Sequence, residues 1–396
     1  MQCRFLLLVA VLFSLVSTAG ADIADARAGM PKDPEARLVS ALDLFSLGEV
    51  DGAIRELEPL VSGMPNYRLA HLVYGDLMAA RAGAPLSLEA SSGLPRALVN
   101  DLLSEARQRW RQSQFDVADK VPEQLLRFAA NQAHAVFVDL ARNRLFLFKN
   151  NAGEPELVAD YYVSGGKNGT RKRVRGDRRT PLGVYFITER LPGEALPDKY
   201  GPMAFPVDYP NAWDKRNGRT GSGIWLHGVS SATYSRPPLD SDGCVALTNE
   251  QLIEVAPKLS IGTTPVIIGE NLVWEERGSL VSRKAEIEAA IEQWRSDWES
   301  NDVEAYLAHY ADDFIGSGMN KKQWSDYKRR VAAGKTFIGV ELDDLGVLGY
   351  PDEQDMVAVT FSQDYRSNNF EARASKRQFW RKASDGHWRI VFEGRF

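Results

Sequence analysis

Ile224-Trp225-Leu226-His227-Gly228, then twelve residues rich in Ser, Thr, Tyr, Arg and Pro, then Ser241-Asp242-Gly243-Cys244-Val245-Ala246: this stretch decides how the chain is read. It holds one His and one Cys, 17 positions apart, across a loop that can fold the two side chains against each other. A thiol attacks a carbonyl as thiolate, and a free cysteine has a pKa of about 8.5. A neighbouring imidazole can take the proton, so Cys plus His is the smallest acyl-transfer unit. Of the five histidines, His227 is the best-placed base. His134 precedes a strand, His71 lies in an apolar helical run, and His309 and His387 belong to the C-terminal segment. Gly228 lets the chain turn beside His227, and its carbonyl can hold the imidazole in one tautomer. The backbone N–H groups of Gly243 and Cys244 are the oxyanion-hole candidates. One such Cys and scattered His residues form no ligand cluster, so neither a metal nor another cofactor is expected.

The N-terminus reads as an export signal. Met1–Arg4 supplies a positive start, Phe5–Val16 an apolar run of 12 residues, and Ala19-Gly20-Ala21 a small-residue cleavage site. The run is too short to span a bilayer as a helix, which takes about 20 residues; an uncleaved anchor is the alternative. Cleavage after Ala21 removes Cys3, one of two cysteines, and leaves Cys244 without a disulfide partner. The exported protein is then expected in the periplasm with one unpaired thiol. A buried cysteine acting as a small hydrophobe fits poorly between Asp242-Gly243 and a polar loop, and a redox thiol would lack a resolving cysteine. The 396 residues exceed one ordinary domain, and a formal charge of −5 argues against a nucleic-acid binder.

Beyond an Ala- and Asp-rich lead at 22–33, Leu38, Leu42 and Phe45 fall at helical spacing and Gly48 stops the run. Ile54, Leu57 and Val61 mark a second helix, Leu69, Leu72, Val73 and Leu77 a third, and 94–114 a fourth. The rhythm resembles a tetratricopeptide hairpin, giving a helical N-terminal domain at 34–120 that can dock a partner or a second copy of the chain. From about Pro122 the pattern turns to β: 135–140 and 145–148 read as a hairpin, 157–164 and 264–269 as further strands. Between Lys167 and Arg179 lie seven basic residues and one acid. They read as a solvated loop or as a mouth that attracts a carboxylate-bearing substrate. After Trp274 the helical period returns with Ile287, Ile291, Trp294 and Trp298, Asp302 caps a further helix, and alternating runs at 356–361 and 388–392 close the chain.

His227-Gly228 with Ser241-Asp242-Gly243-Cys244, preceded by Gly176-Asp177 and Thr180-Pro181-Leu182-Gly183-Val184-Tyr185-Phe186-Ile187, resembles the L,D-transpeptidase (YkuD-type) catalytic domain over roughly 132–270. The resemblance implies a mostly β fold and a cysteine enzyme acting on peptidoglycan stem peptides. The nucleophile would be Cys244, the base His227, and Gly243 the oxyanion glycine. Asp242 stands where the family usually has a second His, and Ala246 where an Arg is common. An inward-facing Asp242 would raise the thiol pKa, so it is expected to point outward or to pair with an Arg such as Arg236. Tyr200, Arg236, Ser241 and Asp242 are the candidate substrate contacts. Residues 282–396 resemble a SnoaL-like α+β cone, a fold that often supplies a pocket or a dimer face.

The fold class is therefore multidomain α+β: a signal peptide at 1–21, the helical domain, the mostly β catalytic domain and the cone. That order is similar to the cell-shape-determining L,D-carboxypeptidases, which trim tetrapeptide stems to tripeptides. The acyl group on Cys244 is expected to pass to an amine, as the family name has it, and water is the alternative acceptor. A non-catalytic wall-binding scaffold is the reading from another class.

Overall fold

The computed structural model describes residues 33–83 and 94–396; the export segment, Cys3 and residues 22–32 of the lead fall outside the described residues. The helical region holds α1 (Pro34–Ser46), α2 (Val50–Gly63), α3 (Arg68–Arg81) and α4 (Arg96–Ser113). Leu38, Ile54, Leu57, Leu69, Leu72 and Leu77 all turn into one apolar cluster. The first helix ends where expected, because Gly48 takes a φ of +82° that L side chains rarely adopt. The inner face of α4 sets the buried polar Glu105, Arg109 and Gln112 beside apolar Val99, Leu102 and Ala106, and charged groups are buried only when paired.

Short strands follow: β1 (Lys120–Pro122), β2 (Leu125–Arg127), β3 (His134–Asp139), β4 (Arg144–Asn151), β5 (Glu154–Tyr162) and β6 (Gly165–Gly166). Next come β7 (Gly183–Phe186), β8 (Leu191–Pro192), β9 (Met203–Pro206), α5 (Ala212–Arg216), β10 (Trp225–His227), β11 (Leu239–Ser241) and β12 (Val245–Ala246). After them lie α6 (Asn249–Val255), β13 (Pro265–Gly269) and β14 (Trp274–Glu276). The two larger sheets formed from these have strand orders β5-β4-β3-β13-β7 and β12-β10-β9-β8, while β1 pairs with β14 and β6 with β11 as two-stranded ribbons.

Side chains alternate across a strand, and in the larger sheet both faces are covered. Val136, Val138, Leu145 and Leu147 pack toward the smaller sheet and α6. Phe137, Phe146 and Phe148 belong to a different cluster that reaches the C-terminal region, with Phe146 edge-on to Trp274 at 4.6 Å. Burial on both faces is why these strands read as unbroken apolar runs rather than as alternation.

The C-terminal region contains α7 (Val281–Glu299), α8 (Val303–Ala308), β15 (Tyr310–Gly316), β16 (Met319–Asn320) and α9 (Lys321–Ala332). It closes with β17 (Ile338–Gly349), β18 (Met356–Ser367), β19 (Phe370–Lys382) and β20 (Trp388–Arg395). Asp302 Oδ1 accepts the N–H groups of Glu304 and Ala305, as an N-cap should. The sheet order is β16-β15-β20-β19-β18-β17-β2, and register shifts within β17 and β19 locally disturb the pairing.

Its last strand comes from far upstream: β2 pairs antiparallel with β17, Val347 opposite Arg127. Arg377 pairs with Asp208 at 2.8 Å, and Phe396 packs on Phe186 at 4.5 Å. The cone and the central β region are thus interlocked. No helix among the described residues is long and apolar enough to cross a membrane.

Candidate active site

The smaller sheet brings the two halves of the opening stretch together. β10 runs parallel to β12, with Leu226 opposite Val245 and His227 opposite Ala246. Extending that register by one residue sets Cys244 beside Trp225, with its side chain on the same face as His227. Adjacent strands lie about 4.8 Å apart and two residues along a strand span about 6.6 Å. The two Cα atoms are then roughly 8 Å apart, a gap the side chains can bridge.

His227 is only 2% exposed. Its Nδ1 lies 2.6 Å from the Gly228 carbonyl. A carbonyl can only accept, so Nδ1 carries the proton and Nε2 keeps a free lone pair. Tyr200 stands edge-on to the imidazole at 5.0 Å, and its carbonyl accepts the Gly228 N–H at 2.9 Å. Burial lowers the imidazole pKa to about 4, against the raising effect of the Gly228 bond; the Arg236 and Lys199 charges lower it further.

Cys244 is 8% exposed and its thiol donates to the Gly223 carbonyl at 3.3 Å. Burial pushes the thiol up to about 11, opposed by the Trp225 backbone N–H bonded to the sulfur and by Arg236 and Lys199. At neutral pH both partners are therefore neutral. The Sγ proton therefore does not rest on Nε2 beforehand.

The turn before the sulfur corrects two expectations. Ser241, expected to touch substrate, is buried, and its Oγ donates to the Cys244 carbonyl at 2.6 Å. The same oxygen accepts the Gly243 N–H at 3.0 Å, so that N–H is already engaged and the Cys244 N–H is left as the backbone candidate facing the reacting carbonyl. Gly243 is needed for shape instead: its φ is +120°, and a Cβ there would sit 2.6 Å from the Arg179 carbonyl.

That carbonyl belongs to the basic loop, which explains why the two motifs occur together. Asp177 accepts from Lys172 Nζ at 2.7 Å and from the N–H groups of Arg173, Val174 and Arg179. Against the raising effect of burial, these bonds hold its carboxyl down at about 2. Thr180 Oγ1 then accepts the Gly166 N–H at 2.9 Å, and Lys167 N–H reaches the Ser241 carbonyl at 2.8 Å. The loop is a buttress under the Cys244 turn.

Asp242 points outward and its neighbour is Arg178 at 3.8 Å, yet its charge still raises the Cys244 thiol. Arg236 lies 3.8 Å from Asp240 instead, because its backbone is drawn to the other side of the turn by Tyr162 and Ser164. Its charge still reaches both the sulfur and the imidazole. Among the described residues no group of three or more His, Cys, Asp or Glu could hold a metal.

A neutral thiol, a neutral imidazole on the same face with its tautomer set, and flanking cations form an acyl-transfer arrangement. Comparison with known families agrees: residues 133–268 match the L,D-transpeptidase catalytic domain (YkuD). The chain carries an L,D-transpeptidase catalytic domain. Residues 286–394 match the Cds6 C-terminal NTF2-like domain, which is the family of the cone. Bd1075 of Bdellovibrio bacteriovorus is similar at 28% identity and a TM-score of 0.62, over 69% of this chain and 97% of that one. The helical cell shape determining protein Pgp2 of Campylobacter jejuni is similar in fold at 24% identity and a TM-score of 0.59, over 69% of this chain and 95% of that one. No curated protein matches the chain.

Two residues of the transpeptidase domain escaped the sequence reading. Asn249 Oδ1 accepts the Val229 N–H at 2.9 Å and lies where a Cβ on either Gly228 or Gly201 would come within 2.2 Å. It therefore fixes the backbone just after His227. Nothing local signals this, since an Asn opening a helix ordinarily reads as a solvent-facing residue. Lys199 stands over the Tyr200 ring at 4.8 Å and joins Arg236 as a second cation near the sulfur.

Proposed function

We propose that this chain is an exported cysteine enzyme that cleaves the L,D bond of peptidoglycan stem peptides through an acyl group on Cys244. The observation that carries the reading is the parallel β10–β12 register, which sets Cys244 and His227 on one face, with His227 Nδ1 held by the Gly228 carbonyl. The Sγ proton passes to His227 Nε2 as sulfur bonds to the carbonyl carbon of the diamino acid. The oxyanion then collapses and the C–N bond breaks. The Nε2 proton goes to the departing amine, which leaves as D-alanine. Water next adds to the thioester, giving its proton to His227. Collapse breaks the C–S bond, and the proton returns to sulfur as the tripeptide carboxylate leaves. Lys199 and Arg236 supply positive potential for the terminal carboxylate of the stem.

Water is the acceptor we favour over an amine. The supporting observation is the multidomain form, shared with Bd1075 over 69% of this chain and 97% of that one, together with its resemblance to the cell-shape-determining L,D-carboxypeptidases. The test is mass analysis of tetrapeptide muropeptides incubated with the pure protein. Tripeptides and free D-alanine are expected, and both vanish in Cys244→Ala. New crosslinks between two diamino acids would make the amine the acceptor, and D-alanine release by Cys244→Ala would refute the cysteine mechanism.

A further inference from the structure

The loop between His227 and Cys244 is not held by the transpeptidase domain alone. Tyr234, at its centre, is 2% exposed and belongs to the apolar cluster of the N-terminal helices. Its ring lies 4.2 Å from that of Tyr67, and its N–H donates to the Asn66 carbonyl at 3.0 Å. Ser235 Oγ donates to Glu105 of α4. Glu105 in turn accepts from Arg109 at 2.9 Å, Arg109 pairs with Glu35 at 3.0 Å, and Arg144 on β4 bridges Glu35 and Asp160. This buried ion chain welds α1 and α4 to β4 and β5. The Arg109 guanidinium also lies 4.0 Å over the Tyr162 ring, whose hydroxyl holds the Arg236 carbonyl at 2.9 Å. The next residues are clamped from the strand side, Pro237 by Ser164 and Pro238 by Asn143.

We propose that the N-terminal helical domain is a positioning element of the active site: through Tyr234 and Ser235 it sets the loop that carries Arg236 and spaces His227 from Cys244. An aromatic side chain seated in another domain's core cannot shift without opening that core, since buried side chains interdigitate at crystal-like density. Tyr67, Tyr234, Ser235 and Glu105 are positioning residues, and none of them touches the reacting sulfur. The inference rests on the reading of Cys244 and His227 as the reacting pair, yet its main readout needs no substrate.

The experiment uses the full-length protein and two measurements: amide hydrogen exchange of peptides covering 223–228 and 239–246, and D-alanine release from a tetrapeptide muropeptide. Ser235→Ala and Tyr234→Ala are expected to speed exchange in both segments at least about tenfold. They should also lower kcat about tenfold to a hundredfold with KM changed less than twofold, as misplaced reacting groups do. Ser235→Thr, which keeps the hydroxyl, should restore both. Trp110→Phe is the control. It removes the Trp110–Asp43 bond (2.7 Å) inside the helical domain and should lower the melting temperature while leaving exchange in the loop segments as in the native protein.

Native exchange in both segments for Ser235→Ala and Tyr234→Ala overturns the proposal. If Tyr234→Ala does not fold, Ser235→Ala, which opens no cavity, decides alone. A wild-type protein that releases no D-alanine would defeat the substrate assignment while the exchange data still judged this proposal.

Discussion

The resting state of the Cys244–His227 pair fixes how fast the thiol can react. Burial holds the thiol at about 11 and the imidazole at about 4. At pH 7 the thiolate is then about one molecule in ten thousand, against about 3% for an unperturbed cysteine. Iodoacetamide, which reacts with thiolate, should therefore label Cys244 in the folded protein more than about a hundredfold more slowly than it labels a free peptide cysteine. The rate should climb about tenfold per pH unit up to pH 10, with no plateau in the neutral range. Removing the nearby cation in Arg236→Gln should push the profile to still higher pH, because Arg236 favours the anion. Labelling of the folded protein is followed by mass spectrometry from pH 5 to 10. A plateau beginning below pH 7 would mean a preformed thiolate–imidazolium pair, and the account of proton transfer at the moment of attack would be wrong.

Two further outcomes follow from the same geometry. His227 titrates lower in the folded chain than the ordinary 6.5, so its contribution to stability is complete above that pH and is lost as pH falls through about 4. The loss amounts to roughly 3 kcal/mol, and denaturant titrations at pH 7 and pH 4 should show it in the native protein and not in His227→Gln. Gly243→Ala should cost about 1–3 kcal/mol from its positive φ alone, more where the added Cβ meets the Arg179 carbonyl. Its melting temperature and D-alanine release should both fall; native values for both would show that the turn can relax without moving the sulfur.

Much of this was legible before any coordinates. Leu38, Ile54 and Leu57 announced their helices by spacing, and the hairpin at 135–148 by its apolar runs, because both signals arise from neighbours along the chain. The Gly228 carbonyl as tautomer-setter and the outward Asp242 were also readable. Ser241 was misjudged: a serine beside a nucleophile looks like a substrate contact until its hydroxyl is found spent on the Gly243 N–H and the Cys244 carbonyl. Which Arg would face Asp242 was not legible: Arg178 does, while Arg236, the example offered, lies beside Asp240, since the choice depends on which way the turn faces.

By itself the sequence determined the local elements and singled out the Cys244–His227 pair, for these depend on residue type, short spacing and backbone freedom. Only the tertiary structure decided how the pieces meet. It paired β10 in parallel with β12, so that a separation of 17 residues became a shared face. It sent β2 into the sheet of the cone and seated Tyr234 in the core of the helical domain. Such contacts join residues far apart in the chain, and they are set by which buried surfaces and unpaired backbone groups find one another. No periodicity in the chain records that choice.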